Sequence, residues 1–189
     1  MGRLAELMQV NVTLTQGAPN PGLVADNLLQ EWGGMPYAQL SVVLVHLRFL
    51  AFVHQTNHWI AKGDPFYGDH LLFERLYNET TNEVDKVAEK AVGMGSEQNV
   101  DLMLQLQQLQ RLVNGYGASQ AVPQATDLVR RSMMVEVNFI SMIDAMCASM
   151  QEQGILTKGV ENMLQGIADV HEGHVYLLKQ RCGRPALGM

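Results

Sequence analysis

Five side chains have types and spacings suited to holding a divalent cation: His58, His70, Glu74, Asp85 and Glu89. His70 follows His58 by twelve residues, Glu74 follows His70 by four, and Glu89 follows Asp85 by four. Neutral imidazoles and carboxylates are donors that first-row divalent metals accept, and residues four apart on a helix share a face. His54, one turn before His58, is either a supplementary ligand or a core histidine held by a hydrogen bond, the commoner fate of histidine on an apolar stripe. His171 and His174 suit either a second metal site or packing between subunits, with packing the plainer reading. Acids four apart on an exposed helix are commonly just solvated, so spacing alone leaves a structural role open.

The elements that must position these groups are helices. From Tyr37 to Lys62 the inward positions Leu40, Leu44, Leu47, Ala51, His54 and His58 step by four and three, the period of a bundle helix, and Gly63 and Pro65 stop it. A second helix is predicted from about Gly68 to Val92, with Leu72, Leu76, Val84, Val87 and Ala91 as its apolar stripe and GMG at 93–95 as its stop. The intervening hairpin carries His58 and His70 to the same end of the bundle. At ~100° per residue, His70, Glu74, Asp85 and Glu89 fall within an arc of about 100°, away from that stripe. Glu74 and Asp85 are eleven residues apart, ~16 Å along the axis, which ligand bonds of ~2 Å cannot span. A shared site therefore needs Asp85 and Glu89 from another copy, as when two chains pair about a two-fold axis.

Further on, Gln98–Val113 reads as a short helix with Leu102, Leu106, Leu109 and Val113 at helical spacing, ended by Gly115 and Gly117. Pro123 introduces a long helix to about Gln153 with Leu128, Val135, Phe139, Met142, Met146 and Met150 inward, and its methionines, Met133 and Met134 included, read as adaptable core. Gly154 breaks it. Thr157 then caps a last helix to about Cys182 with Val160, Leu164, Ile167, Val175 and Leu178 inward. Four long helices with a short one in the long crossover between the second and third predict an all-α, ferritin-like four-helix bundle over 37–182. Residues 1–36, with PNPG and GGMP turns, form a leader, and 183–189 a C-terminal tail.

The 189 residues are 47% hydrophobic and 17% charged, with 6 prolines and 17 glycines, which excludes disordered and collagen-like chains and fits one domain. Cys147 and Cys182 fall in helical segments, as expected of reduced thiols in the cytoplasm. The first residues lack the pattern of a signal peptide. The longest apolar stretch, Leu40 to Val53, is interrupted by His46 and Arg48 and falls short of the ~18 uncharged residues of a membrane span, so a soluble protein is expected. A net charge of −6 concentrates cations and disfavours phosphate backbones.

Together HW at 58–59, KGDPFYGDHLLFERLY from Lys62 to Tyr77 and EVDKVAEKAVGMG from Glu83 to Gly95 resemble the signature of the Dps family, the DNA-binding proteins from starved cells or miniferritins. The likeness is strongest over about 46–95 and continues weakly into HEGHVYLL at 171–178. It implies a ferritin-like subunit in a hollow twelve-subunit shell, with ferroxidase sites at two-fold interfaces made by His58, His70 and Glu74 of one subunit and Asp85 and Glu89 of its mate. There Fe2+ would be oxidised, preferably by hydrogen peroxide, and stored as ferric oxyhydroxide, with zinc as a substitute metal. The resemblance gives Trp59 a minor radical-quenching role beside plain packing, and puts Glu152 and Glu161 near acidic iron-entry pores. Ferritins proper use Glu-x-x-His pairs; this chain has none, which argues against a di-iron centre within one subunit. DNA-compacting members carry lysine-rich tails. Residues 1–36 instead hold one basic residue, Arg3, against Glu6, Asp26 and Glu31, and the C-terminal end offers only Lys179, Arg181 and Arg184, so DNA compaction is the weaker alternative.

Overall fold

Helix α1, Ala38–Ile60, is apolar almost all round and therefore runs through the interior. A computed structural model describes residues 27–116 and 125–182; Gly117, Pro123, most of the leader and the C-terminal tail lie outside the described residues. Along α1, Leu40, Leu44, Leu47 and His54 are buried as their spacing predicts, Ala51 and His58 are half-buried, and Val43, His46, Leu50 and Asn57 are buried on other faces. The Val42, Val43 and Val45 cluster disfavours helix only weakly, and burial outweighs it. This helix and the 127–152 part of α4 are long and apolar enough to cross a membrane, yet 78% and 56% of their windows are buried inside the bundle.

Gly63 takes φ 81°, a left-handed conformation open to glycine, and the chain reverses into α2, Phe66–Met94. The buried face of α2 is Asp69, Phe73, Leu76, Thr80, Glu83, Val87 and Ala91, whereas Leu72 and Val84 of the predicted stripe are half-buried. Three polar residues, Asp69, Thr80 and Glu83, occupy inward positions that a count of apolar residues skips. At Gly95 any side chain would meet the Asn99 side chain and the Pro36 carbonyl, so the end of α2 can close down on the next segment.

A 3₁₀ turn, Glu97–Val100, leads into α3, Leu102–Gly115, whose first turn is capped by Asp101 accepting from the Leu104 N–H at 2.8 Å. The leucines at helical spacing do not form the inward face of α3: Leu102 and Leu106 are exposed, and Gln105, Gln108 and Leu112 face in. Gln108 decides the orientation. Its side-chain carbonyl accepts from Trp32 Nε1 at 3.0 Å and its amide donates to the Leu28 carbonyl at 2.8 Å, so the helix turns a glutamine inward to satisfy a buried indole. Leu28 and Trp32, at the end of the leader, are themselves buried in the core.

Helices α4, Ala125–Glu152, and α5, Lys158–Cys182, follow the predicted stripes: Leu128, Val135, Phe139, Met142, Met146 and Met150 of α4 and Val160, Leu164, Ile167, Val175 and Leu178 of α5 are all buried. Gly154 takes φ 68° between them, and Thr157 Oγ1 accepts from the Val160 N–H at 3.2 Å to cap α5. Helix α1 packs on α2, α4 packs on α5, and α1 crosses to α4, while α2 and α5 touch only sparsely. The described residues contain no strand. The result is the expected four-helix bundle with a short helix in its crossover.

Candidate metal centre

His58 lies in the last turn of α1, where carbonyls lack intrahelical partners, and His70 in the first turns of α2. Across the hairpin each ring reaches the backbone of the other residue. His70 Nδ1–H donates to the His58 carbonyl at 3.0 Å, and His58 Nδ1–H donates to the His70 carbonyl at 2.9 Å. The rings stack with centroids 3.7 Å apart. A carbonyl only accepts, so each Nδ1 carries a proton; in the neutral ring that leaves the lone pair on Nε2, the tautomer that ligates a metal. No hydrogen-bond partner engages either Nε2 among the described residues. Glu74 is half-buried one turn past His70. Asp85 and Glu89 are exposed on the same helix, and the straight run of α2 keeps them away from the two histidines of their own chain.

Among the described residues, the group of ligand-type side chains that converges within one chain lies elsewhere, in the bundle interior, and sequence reasoning missed half of it. Glu136 of α4, wholly buried, is its centre. Its Oε1 accepts from His54 Nε2 at 2.7 Å and His174 Nδ1 at 3.0 Å, and its Oε2 from His171 Nδ1 at 2.5 Å. On the far side of each ring, His171 Nε2 meets Glu83 at 2.9 Å and His174 Nε2 meets Glu79 at 2.9 Å. Helices α1, α2, α4 and α5 thus all contribute. His54, tied to Glu136, is the hydrogen-bonded core histidine its place on the apolar stripe suggests, while His171 and His174 line the interior of their own subunit rather than a contact between subunits.

The electrostatics follow from burial and pairing. Burial alone would raise the Glu136 carboxyl, but the charge and hydrogen bond of His171, with bonds from His174 and His54, hold it well below the usual carboxylate range. Burial alone would lower His171, yet Glu136 and Glu83 on its two nitrogens push it up to about 9. His54 is lowered, chiefly by burial, so its ring stays neutral, and its Nδ1 has no hydrogen-bond partner. One signal for this group was present: Glu136 stands one turn from inward Ser132 and three residues before inward Phe139, and an acid on a buried face must be partnered. The absence of a Glu-x-x-His pair hid it, because here the acids pair on α2 as Glu79 and Glu83 and the histidines on α5 as His171 and His174.

Comparison with known proteins gives the fold a name. No family model matches the chain. Two curated proteins align over 40 residues: DNA protection during starvation protein 2 of Bacillus anthracis at 38% identity and general stress protein 20U of Bacillus subtilis at 40%. The match spans 21% of this chain and 27% and 28% of those relatives, about a quarter of their length. Among solved structures, Dps from Thermosynechococcus elongatus superposes with TM-score 0.67 at 15% identity, over 89% of this chain and 98% of that one. Dps from Vibrio cholerae, described as belonging to a broad superfamily of ferritin-like diiron-carboxylate proteins, gives 0.64 at 14% identity over 85% and 91%. The resemblance seen in residues 46–95 and the superposition over the whole bundle agree: this chain has the ferritin-like four-helix fold of the Dps proteins.

Proposed function

We propose that this chain is the subunit of an iron-oxidising, iron-storing shell of the Dps kind, serving stress protection in the cytoplasm. The observation that carries the proposal is the reciprocal lock of His58 and His70, which stacks the two rings at the end of the hairpin and leaves both Nε2 atoms without a hydrogen-bond partner among the described residues. Two imidazoles supply half a metal site. Glu74 stands beside them, and the exposed carboxylates Asp85 and Glu89 of a second copy complete the ligand set in a two-fold pairing. Iron is the substrate: imidazole and carboxylate accept Fe2+, and added carboxylate charge favours Fe3+ once formed. Each hydrogen peroxide takes one electron from each of two ferrous ions and leaves as water, and the ferric product hydrolyses to oxyhydroxide inside a twelve-subunit shell. Zinc would occupy the same ligands without the redox step.

Replacing His58 and His70 together by Ala tests this. The expected result is loss of rapid peroxide-dependent Fe2+ oxidation with the assembled mass unchanged by light scattering. Oxidation at the original rate would overturn the site. The alternative, DNA compaction, has less support, since the chain carries a charge of −6 and Arg181 is committed to Asp69 at 2.5 Å. Salt-sensitive retention of DNA in a low-salt gel shift would revive it.

A further inference from the structure

We propose that the buried Glu136 cluster is a second metal site, separate from the His58–His70 edge, that binds one divalent transition-metal ion per chain through Glu136, His171 and His174. One potential ligand atom from each of these residues lies within 4.8 Å of the other two. Ligand atoms bonded at ~2.0–2.2 Å around a tetrahedral ion lie ~3.3–3.6 Å apart, so side-chain shifts of about 1 Å close the site around an ion.

The rings are already oriented for the task. His171 and His174 turn Nδ1 toward Glu136 and Nε2 toward Glu83 and Glu79, so each would ligate through Nδ1, whose proton the ion displaces, while Nε2–H donates to a carboxylate. That outer carboxylate fixes ring orientation and raises ligand basicity in histidine metal sites. All three ligands are buried and come from two packed helices, so the geometry is held rigidly. His54, fully buried, adds a neutral ring whose Nδ1 has found no partner, a group that interiors rarely leave unsatisfied. A purely structural role explains the cluster poorly, because apolar packing generally stabilises a core as well as buried ion pairs do.

The site also has an entrance. Between the sparsely packed α2 and α5 a cleft of about 380 Å³ opens to solvent, lined by Glu79, Glu83, Asp169 and His174 among others. The two outer carboxylates and one ligand therefore line this cleft, together with Arg75 and Lys86, and His174 connects it to Glu136. Imidazole and carboxylate donors in this ratio suit Fe2+, Co2+ or Zn2+ rather than Ca2+ or Mg2+.

Anaerobic Co2+ titration of chelator-treated protein, followed by visible absorption, tests the assignment without reference to oxidation. The H58A/H70A variant should keep one bound Co2+ per chain and its d–d bands, whereas adding Glu136→Gln to that variant should lose both, and adding Glu83→Gln instead should weaken binding about 10–100-fold. Absence of Co2+ binding by H58A/H70A, or undiminished binding once Glu136→Gln is added to it, would overturn the second site while leaving the edge site standing. Since Glu136 supports the core, Co2+-soaked wild-type crystals give a check that needs no variant. An anomalous peak among Glu136, His171 and His174 supports the site, and peaks elsewhere with none there contradict it.

Discussion

The edge pair and the core cluster are built from the same side-chain types and differ in how their polar atoms are satisfied. At the edge, His58 and His70 spend one nitrogen each on backbone carbonyls and leave the other free. In the core, both nitrogens of His171 and of His174 meet carboxylates, and the ring and carboxylate charges hold one another. The edge is therefore open to ligands at little cost to folding, whereas the core is bound into the stability of the bundle and its pH response.

That contrast sets the order of expected effects. Glu136→Leu should be the most damaging single change, because it leaves the protonated His171 buried without its main partner, and removing one member of a buried pair costs about 3–5 kcal/mol. Urea unfolding of the metal-free protein measures it. A loss below about 1 kcal/mol would show that the cluster is not the anchor described here.

Next come two pH windows of opposite sign. The folded value of His171, about 9, lies above the ordinary 6.5, so its contribution is complete below pH 6.5 and disappears as pH rises through about 9. His46 is buried, donates Nδ1–H to the Val42 carbonyl at 2.9 Å, and is lowered by burial to about 4. The unfolded chain then binds the extra proton between pH 6.5 and 4, so stability is complete above pH 6.5 and falls as the solution is acidified through that window. Each arm is worth on the order of 3 kcal/mol. Thermal denaturation of the metal-free protein should peak near pH 6.5, His46→Phe should make the acid arm shallower, with His54 and Glu136 supplying what is left of it, and Glu136→Gln should flatten the alkaline one. A flat alkaline arm in the unaltered protein would break the comparison.

The smallest effect on stability is expected at the edge. Replacing His58 and His70 by Ala removes two side-chain-to-backbone hydrogen bonds, about 0.5–1.5 kcal/mol each, while stopping iron oxidation. A large loss of stability with oxidation intact would reverse the roles assigned to the two regions.

The two regions also differ in how far the sequence discloses them. The edge pair is local: a helix, a Gly63–Pro65 break and a second helix suffice to bring residues twelve apart together, and the stripes of α4 and α5 read directly from their apolar period. The core cluster joins residues 35 to 95 positions apart. Hydrophobic periodicity hides such a group, because Glu83 and Glu136 occupy inward positions that a count of apolar residues discards. The face of α3 was hidden for the same reason: Gln108 turns inward to serve Trp32, which no local pattern announces.

The central claim is that oxidation belongs to a site shared between copies at the His58–His70 edge. A crystal structure of the assembled protein loaded with Fe2+ under anaerobic conditions tests it most directly. The account predicts metal density joining His58 and His70 of one copy to Asp85 and Glu89 of another across a two-fold axis. Metal confined to the Glu136 cluster, with Asp85 and Glu89 distant from every His58, would contradict it.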